Sequence, residues 1–461
     1  MEDSTSPASS PPPVSSTARS GVLSALKLLV LGGLVLVLLI PVASVLGLVR
    51  EREGRAAEVR REIGTLWGGE QTLGAAVLTL PYRGVEAGRP VVHHLHLLPA
   101  EVHWQGELTP RIRNRGIFEV PVYEARLEAS GWFAPPDLAA LGVEPATVLW
   151  ERATLTLGVS DLRGIQERVE LRSSRGGGRR LPFLPGSASP EVLPTGLQVP
   201  LAGLGLGAAA SERLPFSFEI VLRGTETLSF LPLGEVTTVR LASPWPDPGF
   251  SGAFLPRQRR LGPDGFTARW EVPYFGRGYP QAWRDGGEAR RELRDLVRAS
   301  AFGVTLVRPA DQYQQTERAA KYAVLFILLT FTTLFLLELL SPVRLHPVQY
   351  LLVGFALCLF YVLLLALGEH LGFPAAYATA AAAVVALVSL YARSLLGSWR
   401  RIAPLAAAVA ALYGFLYSLL VAEDYALLMG AAGLFLVLAL VMYLTRNLDW
   451  WTLRFQRAPE G

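Results

Sequence analysis

The chain has 461 residues, of which 51% are hydrophobic and only 18% charged. A soluble domain carries about a quarter charged residues, so much of this chain faces something other than water. A net charge of +4 without a basic stripe interleaved with aromatics excludes a nucleic-acid binder, and a single cysteine, Cys358, excludes intrachain disulfides and zinc ribbons.

Residues 1–20 are rich in Ser and Pro and read as a disordered cytoplasmic tail. Between Lys27 and Arg50 lie 22 residues without a charge. A signal-peptide core runs to only about 7–15 apolar residues, so residues 22–49 are expected to form an uncleaved membrane anchor. Residues 51–66 have helix-forming composition, with Glu51 and Arg55 at pairing distance, and continue the anchor as a helix.

Residues 50–320 then change character. Segments 117–129, 153–159, 216–222 and 266–272 alternate apolar and polar residues between Gly and Pro. That period of two predicts half-buried strands, and their recurrence without long amphipathic helices between them favours an antiparallel, sandwich-like β-rich domain. A loop rich in Gly, Arg and Pro is expected over 173–196, and a surface helix over 286–299.

After Lys321, apolar stretches at 322–340, 348–368, 374–392, 402–422 and 425–444 each run to 19–21 residues, which matches the bilayer thickness. Arginines mark alternate connections: Arg344, then Arg393, Arg400 and Arg401, then Arg446, Arg454 and Arg457. The other connections hold Glu369-His370 and Glu423-Asp424. By the positive-inside rule both termini are cytoplasmic and the inserted domain is extracytoplasmic. The expected fold is therefore a six-helix transmembrane α-helical bundle, N-in and C-in, with a large β-rich domain between the first and second spans. The expected divisions are 1–20, 22–49, 50–320, a five-helix bundle over 322–445, and a cytoplasmic tail over 446–461. The alanine-rich fourth span is expected at the centre of that bundle, because small residues permit close helix approach.

Enzyme signatures are missing. Neither lysine sits in a phosphate-binding loop, since Leu28 follows Lys27 and Tyr322 follows Lys321, and no H-E-x-x-H occurs. Gly249 to Ala253 (GFSGA) lacks the last glycine of a nucleophile elbow, and Gly203 to Gly207 (GLGLG) reads as an apolar loop. No catalytic residue, cofactor site or metal site is assigned. His93, His94, His96 and His103 cluster, and His94 and His96 share a strand face. No carboxylate joins them at comparable spacing, so they read as solvent-facing histidines on an edge or linker strand. The candidate functional residues lie at membrane-helix ends: Glu338 with His346 and Gln349 across a short loop, and Glu369 with His370. Ionisable groups in membrane segments are functional candidates by default.

Several longer stretches carry a resemblance. They include PADQYQQTERAAKY (309–322), RLHPVQYLLVG (344–354), EHLGF (369–373) and LTRNLDW (444–450). In the inserted domain they are RGIF (115–118), SDLRGI (160–165) and SPWPDPGFSGAFLP (243–256). Together these resemble the CreD family, bacterial inner-membrane proteins described as cell envelope integrity proteins. The resemblance implies a non-enzymatic inner-membrane protein tied to the envelope stress response, without any transferable functional residue. Its expected partners are the lipid bilayer and an envelope component or protein; a transporter or lipid-handling role for the helical bundle is the alternative.

Overall fold

The structure, a computed structural model, describes residues 16–173, 178–207, 212–285, 289–307, 312–340, 345–396, 399–422 and 425–446. The expectations for residues 1–15 and 447–461, and for Arg344, Glu423 and Asp424, fall outside these. The chain divides into two compact units, Met1–Gly54 with Ala310–Gly461, and Arg55–Pro309.

The helices are α1 (Ser16–Trp67), α2 (Ala289–Ala299), α3 (Gln312–Lys321), α4 (Ala323–Leu340), α5 (Pro347–Leu371), α6 (Phe373–Leu396), α7 (Trp399–Val421) and α8 (Ala426–Thr445). Helix α1 runs unbroken for 52 residues through Pro41. Among the described residues, five helices are long and apolar enough to cross a membrane. A sixth span requires counting α3 and α4 together, which bend by 46° at their junction. The stretch expected over 322–340 is the helix α4, Ala323–Leu340, and the bend lies just before it.

The expected centre of the helical unit also changes. In α5, 56% of the apolar window is buried, against 33% for alanine-rich α6 and none for α8. The reason is side-chain size. Tyr350, Phe360, Tyr361 and Leu364 of α5 are large side chains buried together on one face, whereas alanines leave little to bury. Phe360 packs against Tyr377 of α6 and Tyr413 of α7. On its α1 side α5 presents Gly354, where an added Cβ would lie 2.2 Å from Leu38 Cδ1. One turn on, the buried Cys358 thiol faces the Leu38 carbonyl.

The β unit contains β1 (Gln71–Glu86), β2 (Arg89–Leu97), β3 (Glu101–Arg115), β4 (Phe118–Phe133), β5 (Thr154–Val159), β6 (Glu170–Arg172), β7 (Arg180–Pro182), β8 (Leu184–Pro185) and β9 (Gly196–Pro200). It continues with β10 (Leu214–Thr225), β11 (Thr227–Leu231), β12 (Val236–Ser243), β13 (Pro248–Gly252), β14 (Gln258–Gly262), β15 (Gly265–Pro273), β16 (Ala282–Arg284) and β17 (Phe302–Leu306). One sheet has nine strands, β13-β17-β11-β1-β5-β9-β8, with β2 on β1 and β16 on β2. The other has eight, β14-β15-β12-β3-β4-β10-β6-β7.

Both sheets are mixed rather than purely antiparallel, since β1 runs parallel to β11 and β12 parallel to β3. Alternation shows that a strand has one buried face and says nothing about the direction of its neighbour. In β15 the alternation is strict, with Phe266, Ala268, Trp270 and Val272 buried. Aromatic rings join the two sheets. Trp104 of β3 lies 5.5 Å from Phe230 of β11, and Trp270 of β15 lies 5.9 Å from Phe302 of β17.

Candidate functional site

In the helical unit, Glu338 near the end of α4 is 5% exposed. Its carboxylate forms an ion pair with Lys27 of α1 and accepts from the Tyr350 hydroxyl of α5 at 2.9 Å. The Lys27 ammonium also donates to the Leu345 carbonyl at 3.0 Å, so the charge is held by three chain segments. A charge buried in so apolar a setting is costly unless a counter-charge stands beside it. Lys27 supplies that charge, not His346.

His346 is instead the N-cap of α5. Its Nδ1 accepts from the Val348 N–H at 3.3 Å, and the Gln349 side-chain oxygen accepts from the His346 N–H at 2.9 Å. This reciprocal capping satisfies donors that helix geometry leaves unpaired. The expected meeting of Glu338 and His346 therefore does not occur: Gln349 serves the cap and Tyr350 serves the carboxylate. At the other end of α5, Glu369 accepts from the Tyr313 hydroxyl of α3 at 3.3 Å and lies 3.8 Å from Arg52 Nε. His370 beside it is exposed. The two polar clusters flank an apolar core, and α1 contributes the cation to each.

In the β unit, the histidines are not as expected. β2 is paired on both sides, with β1 and β16, so it is no edge strand. His96 is 1% exposed. Its Nε2 lies 3.0 Å from Asp285 Oδ1 and 3.0 Å from Glu191 Oε1, and its Nδ1 lies 3.0 Å from Thr79 Oγ1. His94, on the same face, places Nδ1 2.6 Å from Asp285 Oδ2. The ring of His96 stacks on Trp283, with centroids 5.2 Å apart. Burial pushes the Asp285 carboxyl up, but hydrogen bonds with His96 and His94 outweigh it and leave the group below the usual carboxylate range. His93 points the other way, into room left by Gly84, and His103 pairs with Glu101 on the surface. Only His93 and His103 keep the simple strand-surface reading.

The SDLRG stretch is an anchor for the start of β1. Asp161 accepts from the Gly69 N–H at 3.0 Å and from the Arg163 guanidinium at 2.8 Å and 2.9 Å. Those Arg163 hydrogen bonds hold its carboxyl down at about 2. In the GLGLG segment, Gly203 and Gly205 take positive φ, which turns Leu204 and Leu206 into the core.

Sequence reasoning missed Lys27, Tyr350, Glu191 and Asp285. A lysine flanking the first span was one available signal. For the two carboxylates there was none, because Asp285 reaches His96 through the pairing of β16 with β2 and Glu191 from the distant segment before β9.

Apolar helices of membrane-spanning length, together with a two-sheet β unit inserted after the first of them, define a multi-pass membrane protein. The family described as Inner membrane protein CreD matches residues 24–451. The chain is 33% identical over 435 residues to the Inner membrane protein CreD of Escherichia coli (strain K12), covering 92% of this chain and 93% of that protein. The chain belongs to the CreD family and is a multi-pass inner-membrane protein.

Proposed function

We propose that this protein is a non-enzymatic factor of the bacterial envelope, acting in envelope integrity or its stress response, whose β unit stands in the periplasm and binds a protein partner. Six spans, with α3 and α4 sharing one, and cytoplasmic termini accompany this reading; the arginine-bearing connections support it.

The observation that carries the binding role is an open sheet edge with bare apolar side chains beside it. β14 is the outer strand of its sheet, and Gln258, Arg259, Arg260 and Leu261 on it are all exposed. At the end of the β14–β15 pair, Phe275 is 95% exposed and Leu255 69%. Leu255 and Phe275 add apolar surface near this edge, and an unpaired edge can accept a partner's strand. The arginines limit edge-to-edge self-association, which suits a specific partner rather than aggregation.

The test is a Leu255→Ser, Phe275→Ser double variant of the full chain, scored for tolerance of envelope-active agents at matched protein level. Loss of tolerance supports the reading, and wild-type tolerance overturns it. The transport alternative draws on one observation, the Glu338 charge buried among helices. It predicts that Glu338→Gln abolishes function at normal protein level while the double variant is silent.

A further inference from the structure

We propose that His96, Glu191 and Asp285 form a binding site for a divalent transition-metal ion, with zinc the best match to the donor set. The inference is independent of the partner-binding reading above.

Three acceptors converge there. Nε2 of His96 and one oxygen from each carboxylate all lie within 4.8 Å of one another. A hydroxyl can accept from Nδ1–H, and Thr79 Oγ1 stands 3.0 Å from Nδ1. In that tautomer the Nε2 lone pair faces both carboxylates, and the group needs a cation at its centre. A proton on Nε2 would be split between two oxygens, each 3.0 Å away. A metal ion serves all three donors at once.

The spacing suits zinc. With zinc–ligand bonds of about 2.0–2.1 Å, tetrahedral geometry sets donors about 3.3 Å apart, so the two His96–carboxylate separations of 3.0 Å need to widen by only a few tenths of an ångström. One imidazole with two carboxylates gives a neutral site around a divalent ion and leaves a position for water.

The donors are also held as metal ligands are held. The carboxylate of Glu191 accepts from Ser189 Oγ at 2.9 Å and from Trp283 Nε1 at 3.3 Å. Its backbone carbonyl accepts from Arg294 Nε of α2 at 2.9 Å, which pins the segment. Asp285 donates its N–H to the His94 carbonyl at 2.9 Å, extending the β16–β2 pairing, while the His94 ring steadies its second oxygen. Such outer contacts orient ligands and fix the histidine tautomer. His94, with its side chain 41% exposed, borders the route by which an ion would enter.

Bound, the ion would tie β2, the segment before β9 and the end of β16 together. The test uses tag-free full-length protein in detergent, stripped with chelator and titrated calorimetrically with zinc chloride. One equivalent is expected to bind, with the heat abolished in His96→Ala and Asp285→Asn and unchanged in His103→Ala. Thr79→Val should weaken binding by about 10–100-fold, the effect of losing an outer contact. Because His96→Ala could disturb folding, the isosteric Glu191→Gln is read with cobalt. Wild-type protein should show visible d–d absorption that this variant lacks while its circular dichroism is unchanged. Absence of heat in the wild type, or full heat in His96→Ala, overturns the proposal.

Discussion

Lys27 on the first helix and Glu338 on the fourth form an ion pair across 311 positions of sequence. Side-chain exposure is 16% for the lysine and 2% for the glutamate. Removing one partner strands the other charge, so Lys27→Met or Glu338→Leu alone should destabilise by up to about 3–5 kcal/mol. The double variant should recover most of that loss. Thermal unfolding in detergent, followed across the four-protein cycle, checks the coupling.

Gly354 faces Leu38 with no space for a side chain. Gly354→Val should cost about 1–3 kcal/mol by overpacking, and adding Leu38→Ala should restore part of it. The same unfolding measurement distinguishes this from a generic loss of helix flexibility, which Leu38→Ala would not repair.

Arg277 is 7% exposed and donates to the Leu233 carbonyl at 3.0 Å, between the rings of Tyr274 and Tyr279. Arg277→Met keeps the packing volume but orphans buried carbonyls, so urea unfolding should show a loss of about 1–3 kcal/mol.

Acid should loosen the β unit through Asp161. Its folded pKa of about 2 lies below that of an unfolded aspartate. The contribution is therefore complete above about pH 4 and is lost as pH falls toward about 2. Asp161→Asn should lower stability at neutral pH and flatten the acid dependence between those limits. Tryptophan fluorescence during urea unfolding, repeated across that range, would show it.

Hydropathy located the long apolar helices because apolar residues of several kinds dominate each of them. Alternation located strands such as β10 and β15 because one face of each is buried. Neither signal carries pairing direction, so the parallel β1–β11 and β12–β3 contacts were illegible. The bend between α3 and α4 was hidden as well, since Tyr322 interrupts the helix without proline or glycine. Site residues suffered most. A short loop suggested that Glu338 meets His346, whereas the buried charge took a partner from a distant helix. His96 could not be paired with Glu191 and Asp285, because neighbours along the sequence are a poor guide to neighbours across a sheet.

Cys358 is the only thiol in the chain and sits buried in α5 beside the Leu38 carbonyl. The native protein thus offers impermeant maleimides almost nothing to react with. A cysteine introduced next to His370 or next to Arg446 becomes a reporter of sidedness in otherwise unaltered protein. Labelling of the first and not the second in intact cells is the pattern required by cytoplasmic termini.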